Sequence, residues 1–207
     1  MTAEPVPSRR RANTRARLLE AAAEVFADKG LGAATVDDLA GAAGFTRGAF
    51  YSNFSTKEDL FFALFEALSA RMVDSVRETV ESAPDYDLGL IGAVLERLRP
   101  QARAWYIVQT EYLLLAMRNP EVGRQFAAHR NKFEGEFADV VMAALTRLGR
   151  RPTLPVEQLT EALASLYMKN LAVEALAGDA PRRDGEPGRF IADTLPAVLL
   201  GLSEPLA

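Results

Sequence analysis

Cysteine is absent from the sequence, and histidine occurs once, at His129. The lack of cysteine excludes a disulfide framework, a thiolate metal site and a cysteine nucleophile. A single histidine also excludes a multi-histidine metal centre within one chain. The sequence therefore predicts that the protein uses neither a metal nor another cofactor.

Long apolar runs are missing as well. No uncharged apolar stretch approaches the roughly 18 residues that a membrane-spanning helix requires. The Arg-rich N-terminus precedes the apolar stretch LLEAAAEVFA, but Glu20 and Glu24 interrupt this stretch, which is therefore not a signal-peptide core. We expect a cytoplasmic protein that makes no contact with a membrane.

The charges are numerous and unevenly distributed. The 24 Lys and Arg residues stand against 28 Asp and Glu, which gives a net charge of -4 in a chain that is 49% hydrophobic and therefore globular. Five arginines and one glutamate fall within residues 1–17, a net charge of +4 that leaves -8 for the remainder. A basic arm on an acidic body is typical of a solubility tail or of a segment that attracts a polyanion.

Helical periodicity extends along nearly the whole chain, and no β-type alternation is found. In the first eighty residues, N-cap residues and glycine stops predict four helices. The first runs from Thr14 to Lys29-Gly30, and the second from the capping box of Thr35 and Asp38 to Gly44. The third begins at Thr46, and the fourth runs from Ser55 or Thr56 to Pro84.

The remaining residues continue the helical pattern. Further helices are predicted at about 87–98, 101–118, 121–148 and 156–177, with Pro100, Pro120 and Pro155 in first-turn positions. The segment GDAPRRDGEPG (178–188) is predicted to be a mobile loop. A last apolar helix, FIADTLPAVLLGL, contains Pro196, which either kinks it or starts it. The predicted fold class is all-α.

Two of the short helices have the spacing of a helix-turn-helix. Ala40 is small enough for a close crossing of the helices, and Gly44, four residues later, can take the positive φ of the turn. The apolar interior of this unit is formed by Leu39, Ala43, Phe45, Phe50 and Phe54. By itself this spacing fits a plain αα-hairpin equally well.

The residues around this spacing favour the helix-turn-helix. The segments LLEAAAEVFADKG and ATVDDLAGAAGFTRGAFYSNFSTKEDLFFAL make the sequence resemble the TetR family of bacterial transcriptional regulators. The resemblance implies a three-helix DNA-binding domain and a larger helical domain that dimerises and binds a small molecule. On this basis residues 1–12 are expected to be a disordered basic arm, 13–56 the helix-turn-helix domain, and 57–207 the effector-binding and dimerisation domain.

The expected DNA contacts lie around the third helix. Thr46 and Arg47 begin it, and an arginine there can pair bidentately with a guanine. Gly48 allows close approach to the groove. Tyr51 fits either the core or, as the resemblance implies, a phosphate contact. The complete set is Thr35, Thr46, Arg47, Gly48, Tyr51, Ser52, Asn53 and Lys57, of which Thr35, Ser52, Asn53 and Lys57 are predicted to contact phosphates.

Two further sets of residues are predicted in the second half. Aromatic stripes that carry a few polar groups indicate a ligand pocket, although plain core is the alternative. The predicted pocket residues are Phe65, Trp105, Gln109, Tyr112, Phe126, His129 and Phe133, with Gln109 or His129 as the polar anchor. The helix at 156–177 is apolar on more than one side, which favours a dimer interface over a core helix in a monomer. The predicted interface residues are Leu159, Leu163, Leu166, Val173, Leu195 and Leu199.

These features predict a homodimeric repressor that is not an enzyme. It would bind a palindromic operator in double-stranded DNA, and a small, mostly apolar effector would release it. The alternatives are an all-α enzyme and a helical adaptor that lacks specific DNA binding. The sequence contains neither a P-loop nor a dinucleotide-binding glycine pattern, and one histidine forms no evident triad.

Overall fold

The structure, a computed structural model, describes residues 9–83, 89–177 and 187–206. Its elements follow in chain order: α1 Arg9–Ala33, α2 Val36–Ala42, α3 Arg47–Tyr51, α4 Lys57–Ser82, α5 Gly89–Arg118, α6 Pro120–Arg147, β1 Arg150–Pro152, α7 Val156–Ala177, α8 Pro187–Gly201 and β2 Ser203–Pro205. The predicted all-α class is confirmed. None of the described helices combines the length and hydropathy that crossing a bilayer requires.

The predicted starts of α2, α3 and α4 are confirmed by their caps. Thr35 and Asp38 form a capping box at α2, and Thr56 and Asp59 form a second one at α4. The Thr46 hydroxyl accepts the Ala49 N–H at the start of α3. Because a cap satisfies backbone donors within four residues, local sequence is enough to predict it.

Two glycines provide the turns of this part of the molecule. Gly30 has φ 72° and ψ 165°, which interrupts α1 where the sequence predicted its end. Gly44, also at φ 72°, lies in the turn between α2 and α3. Only glycine adopts such conformations without strain, so both positions require it.

One continuous core joins the two halves of the chain. Phe26 of α1 and Phe61 of α4 are fully buried, and their rings meet edge to face with centroids 5.3 Å apart. The same core cluster extends through Val73 of α4 to Val108 of α5 and Val140 of α6. The long helix α4 is thus packed on the helix-turn-helix at its first turns and on the C-terminal helices further on.

Several boundaries differ from the prediction. α1 begins at Arg9, so residues 9–12 are helical; the rest of the predicted arm and 178–186 of the predicted loop lie outside the described residues. Pro100 lies inside α5, which is continuous because Leu98 and Ala102 on either side are buried and packing overrides the break. Pro196 lies inside α8 and does not start it.

The prediction also missed a small sheet. β1 and β2 pair antiparallel, with Arg151 opposite Glu204, and their side chains form an ion pair at 2.7 Å. The Arg150 guanidinium donates to the Ser203 backbone oxygen at 2.6 Å. Strands of three residues are too short for alternation to be visible in the sequence. The sheet ties the end of α6 to the end of α8.

Candidate nucleic-acid interface and ligand cavity

The exposed side of α3 carries the residues that could meet a nucleic acid. Phe50 of this five-residue helix is fully buried and fixes its orientation on the core. Thr46, Arg47, Gly48 and Tyr51 are all exposed. A Cβ atom placed on Gly48 would meet only the Thr46 hydroxyl, at 3.8 Å. The helix therefore presents open backbone and the ends of two long side chains to solvent.

Arg47 has one partner on α2 and one on its own helix. Its guanidinium lies 3.1 Å from the Asp37 carboxylate and donates to the Tyr51 hydroxyl at 3.4 Å. The Tyr51 hydrogen bond, followed by the charge of Asp37, raises the pKa of Arg47, which is cationic at every physiological pH. The side chains of Arg47 and Asp37 are 60% and 69% exposed, so the pair is weak and readily exchanged for another anion.

Thr35 is more occupied than the sequence suggested. Its N–H and its hydroxyl both donate to Asp38, at 3.0 and 2.7 Å, and its hydroxyl accepts the Asp38 N–H. The Lys29 ammonium, with Thr35, lowers the pKa of Asp38 to about 2, so the carboxylate is ionised at neutral pH. The Thr35 N–H and hydroxyl are thus engaged with Asp38, and the predicted phosphate contact through this hydroxyl and the free N–H groups of the helix start stays a prediction.

Lys57 has a role that the sequence did not predict. Its ammonium donates to the backbone oxygens of Leu31, Gly32 and Ala34 at 2.8, 3.2 and 2.9 Å. An ammonium has three donors, so all of them are used within the chain. Lys57 is thus the C-terminal cap of the α1 region, and the predicted phosphate contact would have to replace one of these bonds.

Ser52 and Asn53 are also bound to their own helix. The Ser52 hydroxyl and the Asn53 amide each donate to the Ala49 backbone oxygen, at 2.8 Å in both cases. Asn53 Oδ1 is buried and has no hydrogen-bond partner. Ser52, the C-cap of α3, is exposed and its hydroxyl can still accept, whereas Asn53 is half-buried.

Two arginines of α1 support this surface and were not singled out from the sequence. The Arg15 guanidinium lies 4.2 Å from the centre of the Phe54 ring and donates to the Asn53 backbone oxygen. The Arg17 guanidinium donates to the Ala43 oxygen at 3.0 Å, in the turn between α2 and α3. The only signal in the sequence was the positive charge of the N-terminus, which does not identify partners 26 or more residues away.

Glu111 of α5 also binds the turn that begins at Gly30, within the last residues of α1. One carboxylate oxygen accepts the Leu31 N–H at 2.7 Å. A Cβ atom on Gly30 would lie 2.6 Å from the other oxygen. Glu111 thus accepts a hydrogen bond from an N–H of this turn, and Lys57 donates hydrogen bonds to its carbonyl oxygens.

A cavity of about 150 Å³ lies between the C-terminal helices. It is farther along α4 from the helix-turn-helix than the predicted pocket residue Phe65. Of the predicted pocket residues, Trp105 and Phe133 line it, and their rings are 5.4 Å apart. Most of the wall is aliphatic. Five helices contribute lining residues. These lie on α4 between Met72 and Val80, on α5 between Leu90 and Trp105, on α6 and its C-cap between Phe133 and Leu148, on α7 between Thr160 and Met168, and on α8 at Leu195 and Leu199.

The other predicted pocket residues do not line this cavity. Phe65, Tyr112 and Phe126 form a close-packed aromatic cluster, with Tyr112 centred 5.1 Å from Phe65 and 4.9 Å from Phe126. The Tyr112 hydroxyl lies 3.2 Å from His129 Nδ1, and burial raises the pKa of this tyrosine. Gln109 is half-buried outside the cavity. An aromatic stripe can fill space as well as surround it, so the sequence pattern did not separate these residues from the cavity wall.

The predicted interface residues divide between the inside and the outside of the chain. Leu159, Leu195 and Leu199 are buried within the protomer, and Leu163 lines the cavity, so the protomer itself covers these four side chains and their place in a dimer interface stays a prediction. Leu166 is half-buried on the outer side of α7, and Val173 is 38% exposed. The structure adds Leu176, which is 89% exposed on the same helix. The sequence could not distinguish these faces because both are apolar.

Comparison with known proteins bears on both regions. Residues 18–64 match the family described as bacterial regulatory proteins, tetR family. The chain is 32% identical over 149 residues to the HTH-type transcriptional repressor AcnR of Corynebacterium efficiens, a match that covers 71% of this chain and 74% of that protein. It is also 32% identical over 148 residues to the repressor KstR2 of Mycobacterium tuberculosis, covering 69% and 72% respectively.

The fold also matches solved structures. FadR of Bacillus subtilis, determined in complex with stearoyl-CoA, superposes with a TM-score of 0.67 at 16% identity. That match covers 89% of this chain and 96% of FadR. At this identity the likeness establishes the arrangement of helices, from the helix-turn-helix through the C-terminal bundle.

Proposed function

The chain belongs to the TetR family of bacterial regulatory proteins and is a DNA-binding transcriptional regulator, and from this premise we propose how its parts act. It is a repressor that binds a palindromic operator as a homodimer and is released by a mostly apolar effector. The observation that carries the proposal is the exposed face of α3, where Arg47 and Tyr51 stand beside open Gly48.

Base reading is assigned to the start of α3. Recognition helices contact base edges with their first residues, and Arg47 is the one long cation at this position. Thr46 and Tyr51 flank it and are suited to phosphate contacts, with Ser52 at the end of the helix. Selection of bound duplexes from a random library by the purified protein tests this assignment. We expect inverted half-sites with centres about one helical turn apart; recovered duplexes that share no sequence would contradict it.

Repression is favoured over activation by relatives whose matches cover about 70% of the chain. Both AcnR and KstR2 are named as repressors, and their matches extend well beyond the helix-turn-helix into the C-terminal helices. A promoter that contains the selected operator should therefore lose transcription in vitro when the protein is added. An increase in transcript would assign the protein to activators.

The homodimer is assigned to the outer face of α7. Ala162, Leu166, Lys169, Val173 and Leu176 follow one another at alternating spacings of four and three residues, which places them in one stripe along the helix. Val173 and Leu176 are exposed apolar side chains at its end. Such a stripe is shielded from water by the same stripe of a second copy. Two copies would supply the two recognition helices that a palindrome requires.

The effector is assigned to the cavity that is lined by the five helices from α4 to α8. FadR, whose fold matches at 16% identity, was determined with stearoyl-CoA, and the apolar stearoyl chain of that molecule supports a mostly apolar ligand for this arrangement of helices. α4 lines the cavity from Met72 to Val80 and begins at Lys57, which caps the α1 region. A ligand that displaces α4 would therefore move the helix-turn-helix of each protomer. A shift of a few Å misaligns one half-site, because the helices must lie about 34–36 Å apart.

Filling the cavity tests this assignment. In Ala144→Phe, a cavity-lining alanine on α6 becomes a ring that takes the place of ligand. The variant should bind the operator normally and should not respond to compounds that release the wild-type protein. If it responds like the wild type, the effector binds elsewhere.

A further inference from the structure

We propose that the cavity takes an elongated, uncharged molecule with one hydroxyl or carbonyl group, which is held by a hydrogen bond to Thr160. The proposal rests on the assignment of the effector to this cavity and adds the chemical class of the ligand and the residue that recognises it.

The shape of the cavity sets the length of the ligand. Along α5 it extends from Leu90 to Trp105, and along α6 from Phe133 to Leu148. Each span is 15 residues, or about 22 Å of helix at 1.5 Å per residue. The lining residues are thus spread along the first half of α5 and the second half of α6. An extended chain or a flat, elongated ring system fits such a space better than a compact molecule.

The lining excludes a charged group from the interior. Among the described lining residues the one ionisable carboxylate is Glu134, which pairs with Arg130 at 3.2 Å, and none of those residues is Lys, Arg or His. A ligand carboxylate in this wall would have no cation to pair with and would lose its hydration. The wall therefore favours a neutral ligand.

Thr160 supplies the hydrogen bond. It lines the cavity, is 2% exposed, and its Oγ1 has no hydrogen-bond partner within the described structure. A hydroxyl can both donate and accept, so it can pair with an alcohol or with a carbonyl. Trp105, which also lines the cavity, already donates its indole N–H to Ser69 at 3.0 Å. A buried hydroxyl without a partner is rare, and a ligand would satisfy it.

Direct binding measurements test the proposal without DNA. 1-Dodecanol and dodecanoate are titrated at pH 7.5, with Trp105 fluorescence and calorimetry as readouts. The alcohol should bind at least about tenfold more tightly than the carboxylate. Equal binding of the two probes, or tighter binding of the carboxylate, would overturn the assignment of a neutral ligand.

Substitutions of Thr160 test the anchor. Thr160→Val should weaken dodecanol binding by about tenfold, the equivalent of one hydrogen bond, and Thr160→Ser should restore it. Because Thr160→Val removes an unpaired hydroxyl, the ligand-free variant should melt at or above the wild-type temperature, which separates loss of the anchor from misfolding. Unchanged affinity in Thr160→Val would refute the anchor. Operator release by dodecanol is measured separately, so that a ligand that binds without releasing DNA contradicts only the proposed function.

A different observation carries a second inference: we infer that Glu111 is a positioning residue for the helix-turn-helix. Its carboxylate accepts the Leu31 N–H while Lys57 donates to the Leu31 oxygen, and the missing side chain of Gly30 leaves room for the carboxylate. Glu111 is on the same helix as Trp105, six residues away, or about 9 Å along the axis. α5 therefore links a wall of the cavity to the turn that leads into α2.

Two variants separate positioning from folding. Glu111→Ala removes the acceptor, whereas Glu111→Gln keeps an oxygen for the Leu31 N–H. Glu111→Ala should lower affinity for the selected operator by about fivefold or more while affinity for random duplex is unchanged, and Glu111→Gln should recover most of the loss. Glu121→Ala, at an exposed glutamate on α6, is the control. Wild-type operator affinity in Glu111→Ala would overturn the inference, as would an equal loss on both duplexes.

Discussion

Arg47 is already surrounded by groups that DNA would replace. In the free protein it lies against Asp37 at 3.1 Å and Tyr51 at 3.4 Å, both on the surface. Arg47→Ala should lower affinity for the selected operator by about 1–3 kcal/mol and relax the preference at one position in each half-site. Asp37→Asn, which removes a competing carboxylate, should leave affinity unchanged or raise it. Titration of each variant with the selected operator measures these affinities. If Arg47→Ala selects the same consensus sequence as the wild type, Arg47 does not read a base.

Lys57 is expected to act on stability and not on the salt dependence of binding. Lys57→Ala leaves three backbone oxygens without their cation and should destabilise the fold by about 1–3 kcal/mol in urea denaturation. Lys29→Ala, which removes an exposed ion pair with Asp38, should cost less than about 1 kcal/mol. The slope of operator affinity against salt should stay as in the wild type. A slope reduced by about one phosphate, with stability unchanged, would restore the phosphate contact.

At the residue scale, the sequence predicted interactions that are local and missed those that are distant. The caps Thr35, Thr46 and Thr56 involve neighbours three residues away and were correct. The partners of Lys57 are 23 to 26 residues away, and no periodicity reveals them. Lys57 lies in the first turn of α4, where a cation opposes the helix dipole, and its partners are carbonyl oxygens at the end of another helix.

At the scale of elements, the turn between α1 and α2 depends on one glycine. Gly30→Ala would force a side chain into φ 72°, ψ 165° and against the Glu111 carboxylate at 2.6 Å. We expect a loss of about 1–3 kcal/mol in the free energy of unfolding, together with weaker operator binding. Gly32→Ala is the matched control, because a Cβ there meets nothing within 4 Å and it should be neutral or stabilising. Equal stability of the two variants in urea would contradict this account of the turn.

The order and type of the helices followed from periodicity. Periodicity did not predict which helix faces pack in the interior and which line a cavity. Pro100 divided α5 in the prediction although buried neighbours keep it continuous. The aromatic stripes on α5 and α6 were identified correctly as inward-facing, and yet most of them fill the interior. Whether a stripe encloses a cavity depends on how several helices cross, which no single segment encodes.

At the scale of the whole molecule, the dimer should depend on the outer stripe of α7. Val173→Lys and Leu166→Lys would place charges at the proposed interface and should yield monomers in sedimentation velocity, with loss of tight operator binding. Met142→Lys is the control, since Met142 on α6 is 38% exposed, as is Val173. Dimers in both α7 variants, or a monomeric wild type, would contradict the proposed interface.

The central claim is that a dimer of this chain reads a specific palindrome through α3. The most direct measurement is a fluorescence anisotropy titration of the selected palindrome and of a scrambled duplex, each over a series of salt concentrations. We predict that the palindrome is bound at least about a thousandfold more tightly, by two chains per duplex, and that affinity for both duplexes falls as salt increases. Equal affinity for the two duplexes, or binding that is insensitive to salt, would contradict the claim.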